Sequence, residues 1–171
     1  DLPRSRGLGD VYKRQIFVLL ISFCSSNATD DGIFINSSDL NNLKTLDTGE
    51  NIDISDKELM IINYWASWCL ECIEEHPYLI ELSKTKGFED SVYMLSFQDS
   101  RDNALKFISE YGAGNINYLV DQKSKIAIYS GVFGVPETHI LKNGEVIKKY
   151  IGPISINDFQ EIINNYSHLT N

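Results

Sequence analysis

Apolar and polar positions alternate along this chain with two different periods. Leu59 to Trp65 (LMIINYW) is a continuous apolar, β-favouring run, the pattern of a strand buried on both faces. After Cys72 the period becomes helical through Ile73, Leu79, Ile80 and Leu82, with a kink expected at Pro77 and a stop at Gly87. Val92 to Phe97 predicts a second strand and Asn117 to Val120 a short third one. Between them, Asp99 or Ser100 can cap a helix over Arg101 to Tyr111, whose Ala104, Ile108 and Tyr111 share one face. Ser124 to Tyr129 reads as a short helix. Thr138 to Leu141 and Glu145 to Ile151 predict a hairpin turning at Asn143-Gly144. Ser155-x-x-Asp158 is a capping-box start for a last helix with Ile156, Phe159, Ile163 and Tyr166 on its buried face. Thr29 to Lys57 is mostly polar, with Ile33-Phe34-Ile35 expected as one edge strand. Helices separate the early strands, which should pair in parallel, while the hairpin is antiparallel. The expected fold class is therefore α/β, a central mixed sheet with helices on both faces.

The N-terminal segment does not follow these periods. Residues 1–15 carry Gly, Arg and Asp without periodicity and read as a non-native or adapter-derived start. In residues 16–28, the apolar run IFVLLISF is far shorter than the about 20 residues a spanning helix needs. It suits the apolar core of a signal peptide, with Ser26-Asn27-Ala28 as cleavage site, or a truncated membrane anchor. Residues 29–171 remain as one domain, and the export signal implies a location on the far side of the membrane.

Charge and cysteine usage narrow the chemistry. The net charge of −9 argues against nucleic acid, which needs a basic face. Of the 3 cysteines, Cys24 lies in the N-terminal segment; a structural disulfide framework would need more, so Cys69 and Cys72 read as a catalytic pair rather than a staple. They stand where the central strand gives way to a helix. Unpaired N–H groups and the helix dipole there favour a thiolate at Cys69. Cys72, three residues on, is near enough to close a disulfide within the first turn. Cys69, Cys72 and His76 would also give three metal-ligand types, but there is no second C-x-x-C or evident fourth ligand. Strand, C-x-x-C, helix is a thiol–disulfide exchange device.

Trp68-Cys69-Leu70-Glu71-Cys72, in this element order, resembles the thioredoxin superfamily. Three further stretches narrow the resemblance: Glu75-His76-Pro77, the string Gly131-Val132-Phe133-Gly134-Val135-Pro136-Glu137-Thr138, and Gly152-Pro153. Together they resemble the periplasmic thiol:disulfide interchange proteins of cytochrome c maturation, the DsbE/CcmG family. The membrane-anchored reducing thioredoxins of the TlpA and ResA types share much of the pattern.

The resemblance implies a thioredoxin-like fold and a reductase. Cys69 would be the exposed nucleophile and Cys72 the more buried resolving thiol. Pro136 would be a cis-proline facing them, leaving the Val135 main chain free to pair with a client strand. Trp68, Val135, Pro136 and Glu137 make up the implied substrate-binding set, with Glu137 on an acidic rim. Glu75, one turn beyond Cys72 and partly buried, would exchange a proton with it. His76 and His139 are expected to pack rather than catalyse. No metal or organic cofactor is called for. The implied client is apocytochrome c, and the implied electron donor a membrane thiol reductase. A general reductase with other clients, a disulfide oxidase and a redox-inactive peptide binder are the rival readings.

Two departures carry consequences. Asn63 stands where thioredoxin has Asp, which moves the buried-base role to Glu75. Glu71, between the cysteines, places a negative charge beside a thiolate and should raise the Cys69 pKa, favouring the disulfide.

Overall fold

In the computed structural model, described for residues 33 and 35–169, seven strands form one mixed sheet. The expectations placed on residues 1–28 lie outside the described residues. The sheet is centred on β3 (Leu59–Trp65), whose seven residues are all buried. It runs parallel to β4 (Val92–Ser96) and antiparallel to β6 (Glu137–Lys142). Outward from β4 lie β5 (Asn117–Val120) and then a small hairpin, β1 (Leu43–Thr45) and β2 (Asn51–Ile52). Outward from β6 lies β7 (Glu145–Ile151), so the order is β2-β1-β5-β4-β3-β6-β7.

The side-chain alternation of β3 divides the core into two layers. Leu59, Ile61 and Trp65 face α2 (Leu70–Lys84), α3 (Arg101–Tyr111) and α5 (Ile156–Tyr166). Met60, Ile62 and Tyr64 face the short helices α1 (Ser37–Leu40) and α4 (Lys125–Tyr129). The mixed sheet with helices on both faces is thus as expected.

Several boundaries differ from the sequence reading. Ile33 and Ile35 hydrogen-bond to Val146 N–H and Gly144 O, but the extra edge strands come from the polar stretch at 43–52. Helix α2 runs through Pro77, although proline has no N–H for the Ile73 carbonyl. It ends at Lys84, before Gly87, because extended Thr85 caps it and ties its hydroxyl to Glu81 O at 2.9 Å. On α3, Phe107 is buried with Ala104, whereas Tyr111 stays 39% exposed and packs its ring on Phe107. On α5, Ile162 is the fully buried residue and Ile156 remains 48% exposed. The Ser100 cap and the Ser155–Asp158 capping box form as read.

A candidate thiol–disulfide site

Strand β3 delivers the chain to the edge of the core at Trp65, and Ala66 to Trp68 turn it into α2. Asp99, in the loop between β4 and α3, accepts the Ser67 N–H at 2.6 Å and so fixes this turn. Cys69 is the N-cap of α2, and its Sγ accepts the Cys72 N–H at 3.1 Å. Cys69 and Cys72 are joined in a disulfide with their Cα atoms 5.3 Å apart. Cys72 is fully buried, and Cys69 is only 4% exposed, less open than the sequence suggests. Its sulfur is drawn in both by the Cys72 sulfur and by the Cys72 amide. Trp68, next to it, is 61% exposed and donates its indole N–H to Gln98 O at 3.3 Å.

One turn along α2 from Cys72, Glu75 is 1% exposed. Asn63 Nδ2 donates to its Oε1 at 2.7 Å, and Ile154 N–H donates to its Oε2 at 2.7 Å. Asn63 also donates to Thr138 Oγ1 at 2.9 Å, across the β3–β6 ladder in which the two residues are directly opposite. Burial pushes the Glu75 carboxyl up to about 7, and the two hydrogen bonds only partly oppose it. A carboxyl poised there can take or give a proton at neutral pH. Asn63 lies beneath the site as expected, and Glu75 is more deeply buried than expected.

The Val135–Pro136 bond is cis. Glu137 and His139 follow it on one face of β6, and Lys149 of β7 is directly opposite His139. The geometry corrects the expectation of Glu137 on an acidic rim. It is 5% exposed, with Oε1 at 2.6 Å from His139 Nε2 and 3.8 Å from Lys149 Nζ. Lys149 also donates to Ser130 O at 2.6 Å, and Tyr64 donates to Ser130 Oγ at 3.1 Å. The ammonium therefore bridges the two ends of the loop that carries Val135. His139 and Lys149 went unread as site residues because their meeting with Glu137 depends on the β6–β7 register. Both histidines are buried and pack: His76 lies against Phe107 and bonds Gly112 O at 2.9 Å.

Beside the cis peptide lies an open, mostly apolar groove of about 410 Å³ that includes Glu71, Phe133, Val135, Pro136, Ile151 and Pro153. Val135, Pro136 and Glu137 therefore share one surface, while Trp68 is not among the groove residues. Phe133, on the groove, had no role assigned from sequence, although it stands inside the Gly131–Thr138 string.

The family model described as Redoxin matches residues 34–163. The chain is 37% identical over 97 residues to the thiol:disulfide interchange protein CycY of Rhizobium leguminosarum bv. viciae, covering 56% of this chain and 51% of that protein. It is 32% identical over 107 residues to DsbE of Vibrio cholerae serotype O1, covering 62% and 56% respectively. The chain thus spans about half the length of the curated relatives it matches. Among solved structures, a thiol:disulfide interchange protein DsbE from Chlorobium tepidum superposes with a TM-score of 0.64 at 21% identity, covering 75% of this chain and 92% of that one. MTB DsbF, in its mixed oxidised and reduced forms, gives 0.65 at 18% identity, covering 80% and 99%. These likenesses fix the fold as thioredoxin-like.

Proposed function

The chain belongs to the Redoxin family, and from that premise we propose that it is a thiol:disulfide oxidoreductase working as a reductant of exported proteins. The observation that carries the reading is the Cys69–Cys72 pair at the start of α2, with a buried carboxyl tuned to about 7 one turn along the same helix. In the reduced protein, the Cys69 thiolate attacks one sulfur of a client disulfide. That bond breaks, a mixed disulfide forms, and the departing client thiolate takes a proton. Cys72 passes its proton to Glu75 and attacks Cys69 Sγ; the Cys69–client bond breaks, and the second client thiolate leaves and takes up a proton in turn, while Glu75 gives its own back to solvent. The client gains two electrons and two protons, and the protein is left as the disulfide. A donor of the membrane thiol-reductase class then restores the dithiol. The similarity to DsbE and CycY supports apocytochrome c as client, through the Cys-x-x-Cys-His segment that must be reduced before haem attaches. It supports a site of action on the periplasmic side of the inner membrane. Among the described residues no helix is long and apolar enough to cross a membrane.

The reduction potential of the couple tests the direction of electron flow. Equilibration of residues 29–171 with thiol–disulfide buffers should give a value near thioredoxin's, about −270 mV, or modestly above it. A value close to DsbA's, about −120 mV, would make the protein an oxidase and remove the cytochrome reading.

Glu71 sets a finer expectation. It occupies the first turn of α2 and, among the described residues, has no ion-pair partner. Its charge disfavours the nearby thiolate, and with it the dithiol. Glu71→Gln should therefore raise the potential by about 10–20 mV, the size of a screened surface charge effect below 1 kcal/mol. The same buffers measure it, and a potential that stays put or falls would remove Glu71 from the tuning of the couple.

A further inference from the structure

The groove beside the cis peptide has a chemistry of its own. Phe133 is 98% exposed and Ile151 is 85% exposed, and both border it. These are the two most exposed large apolar side chains among the described residues. The bulk of a side chain laid between them would leave water at little steric cost, since Gly131, Gly134 and Gly152 lie nearby and a Cβ at Gly134 or Gly152 would meet nothing within 4 Å. The groove's two carboxylates are not equivalent. Glu137 is already engaged by His139 and Lys149. Glu71 has no ion-pair partner among the described residues, and its place between the two cysteines puts it at the disulfide end of the groove.

We propose that this groove selects clients by the residues flanking their reacting cysteine: a bulky apolar side chain seated between Phe133 and Ile151, and a lysine or arginine facing Glu71. The proposal rests on the reductase reading and adds a substrate class to it. The occupant is an extended segment of the client. It is held by main-chain pairing at Val135, as strand-addition sites hold peptides, with the groove reading the side chains. Charge complementarity favours a basic segment, because among the described residues the groove charge left without an ion-pair partner is negative and the whole chain carries −9.

Single-turnover reduction of short oxidised peptides by the pre-reduced protein tests this. The peptides share one Cys-x-x-Cys disulfide and differ within three residues of it, carrying Leu and Lys, Ser and Lys, or Leu and Glu. The Leu–Lys peptide should react about tenfold faster at sub-saturating concentration than the Ser–Lys peptide, the yield of partly burying one aliphatic side chain. In Phe133→Ser with Ile151→Ser that ratio should fall to within twofold. Both side chains are so exposed that their loss leaves the core intact. Glu71→Lys should invert the preference between the Lys- and Glu-flanked peptides. Equal rates for all three peptides with the unaltered protein, or a ratio that survives the double substitution, overturn the groove assignment and leave the reductase reading standing. If the reduced protein reduces none of them, both readings fall.

Discussion

Cys72→Ser should stop the reaction at its midpoint. Cys69 can still attack a client disulfide, since its position as N-cap of α2 does not need the second sulfur. The mixed disulfide that results has no internal thiol to resolve it. Steady-state reduction of an oxidised Cys-x-x-Cys peptide should fall by at least about a thousandfold, the scale on which loss of a covalent-catalysis partner acts. One equivalent of peptide should remain bound to the protein, visible by mass under non-reducing conditions and lost on adding dithiothreitol. Cys69→Ser should form no such adduct. Adducts of equal yield in the two variants would mean that the nucleophile and the resolving thiol have been assigned the wrong way round.

The second large effect belongs to Glu75. Its carboxyl titrates near 7 when folded and near 4.5 when unfolded. Between these values the folded state holds the extra proton. Stability contributed by this group is therefore present in full below about pH 4.5 and is lost as pH rises through 7. The difference amounts to about 3 kcal/mol. Glu75→Gln removes the titration, so the variant should gain on the parent as pH rises from 5 to 8. Both partners of the carboxylate, Asn63 Nδ2 and Ile154 N–H, are donors. Glutamine keeps the side-chain length and one acceptor, so one of these two hydrogen bonds persists. The fold should thus tolerate the change, while resolution of the mixed disulfide slows about a hundredfold, within the range of general acid–base catalysis. Urea unfolding at pH 5 and pH 8 checks the first part and rapid-quench kinetics the second. An unfolding free energy of the parent that rises from pH 5 to pH 8 by the same amount as the variant's would show that Glu75 is ionised throughout.

Much of this site is written locally in the chain. The strand–C-x-x-C–helix succession needs only the run of Leu59 to Trp65 and the spacing of the cysteines. Glu75 is found by counting one turn from Cys72, and Asn63 by counting back along a strand. What escaped is what depends on pairing between distant segments. Glu137 looks like a surface acid until β6 and β7 are in register, when alternation puts it on the face of His139 and opposite strands bring in Lys149. The β1–β2 hairpin escaped for a related reason: its five residues are mostly polar and are strands only because β5 offers an edge. On α5, the choice of Ile162 over Ile156 depends on where the helix meets the sheet, which its own periodicity does not specify.

The bond from Ile154 N–H to Glu75 Oε2 gives the protein a built-in probe. Ile154 lies just before the Ser155 cap, so one backbone amide connects the proton of the redox centre to the entry of the C-terminal helix. Its nitrogen and proton resonances should follow the ionisation of Glu75 directly, moving with a midpoint near 7. A two-dimensional amide spectrum, recorded across pH on the disulfide and dithiol forms in turn, would thus watch a carboxyl that is buried from solvent. It would also register how far the arrival of a free Cys72 thiol shifts that midpoint.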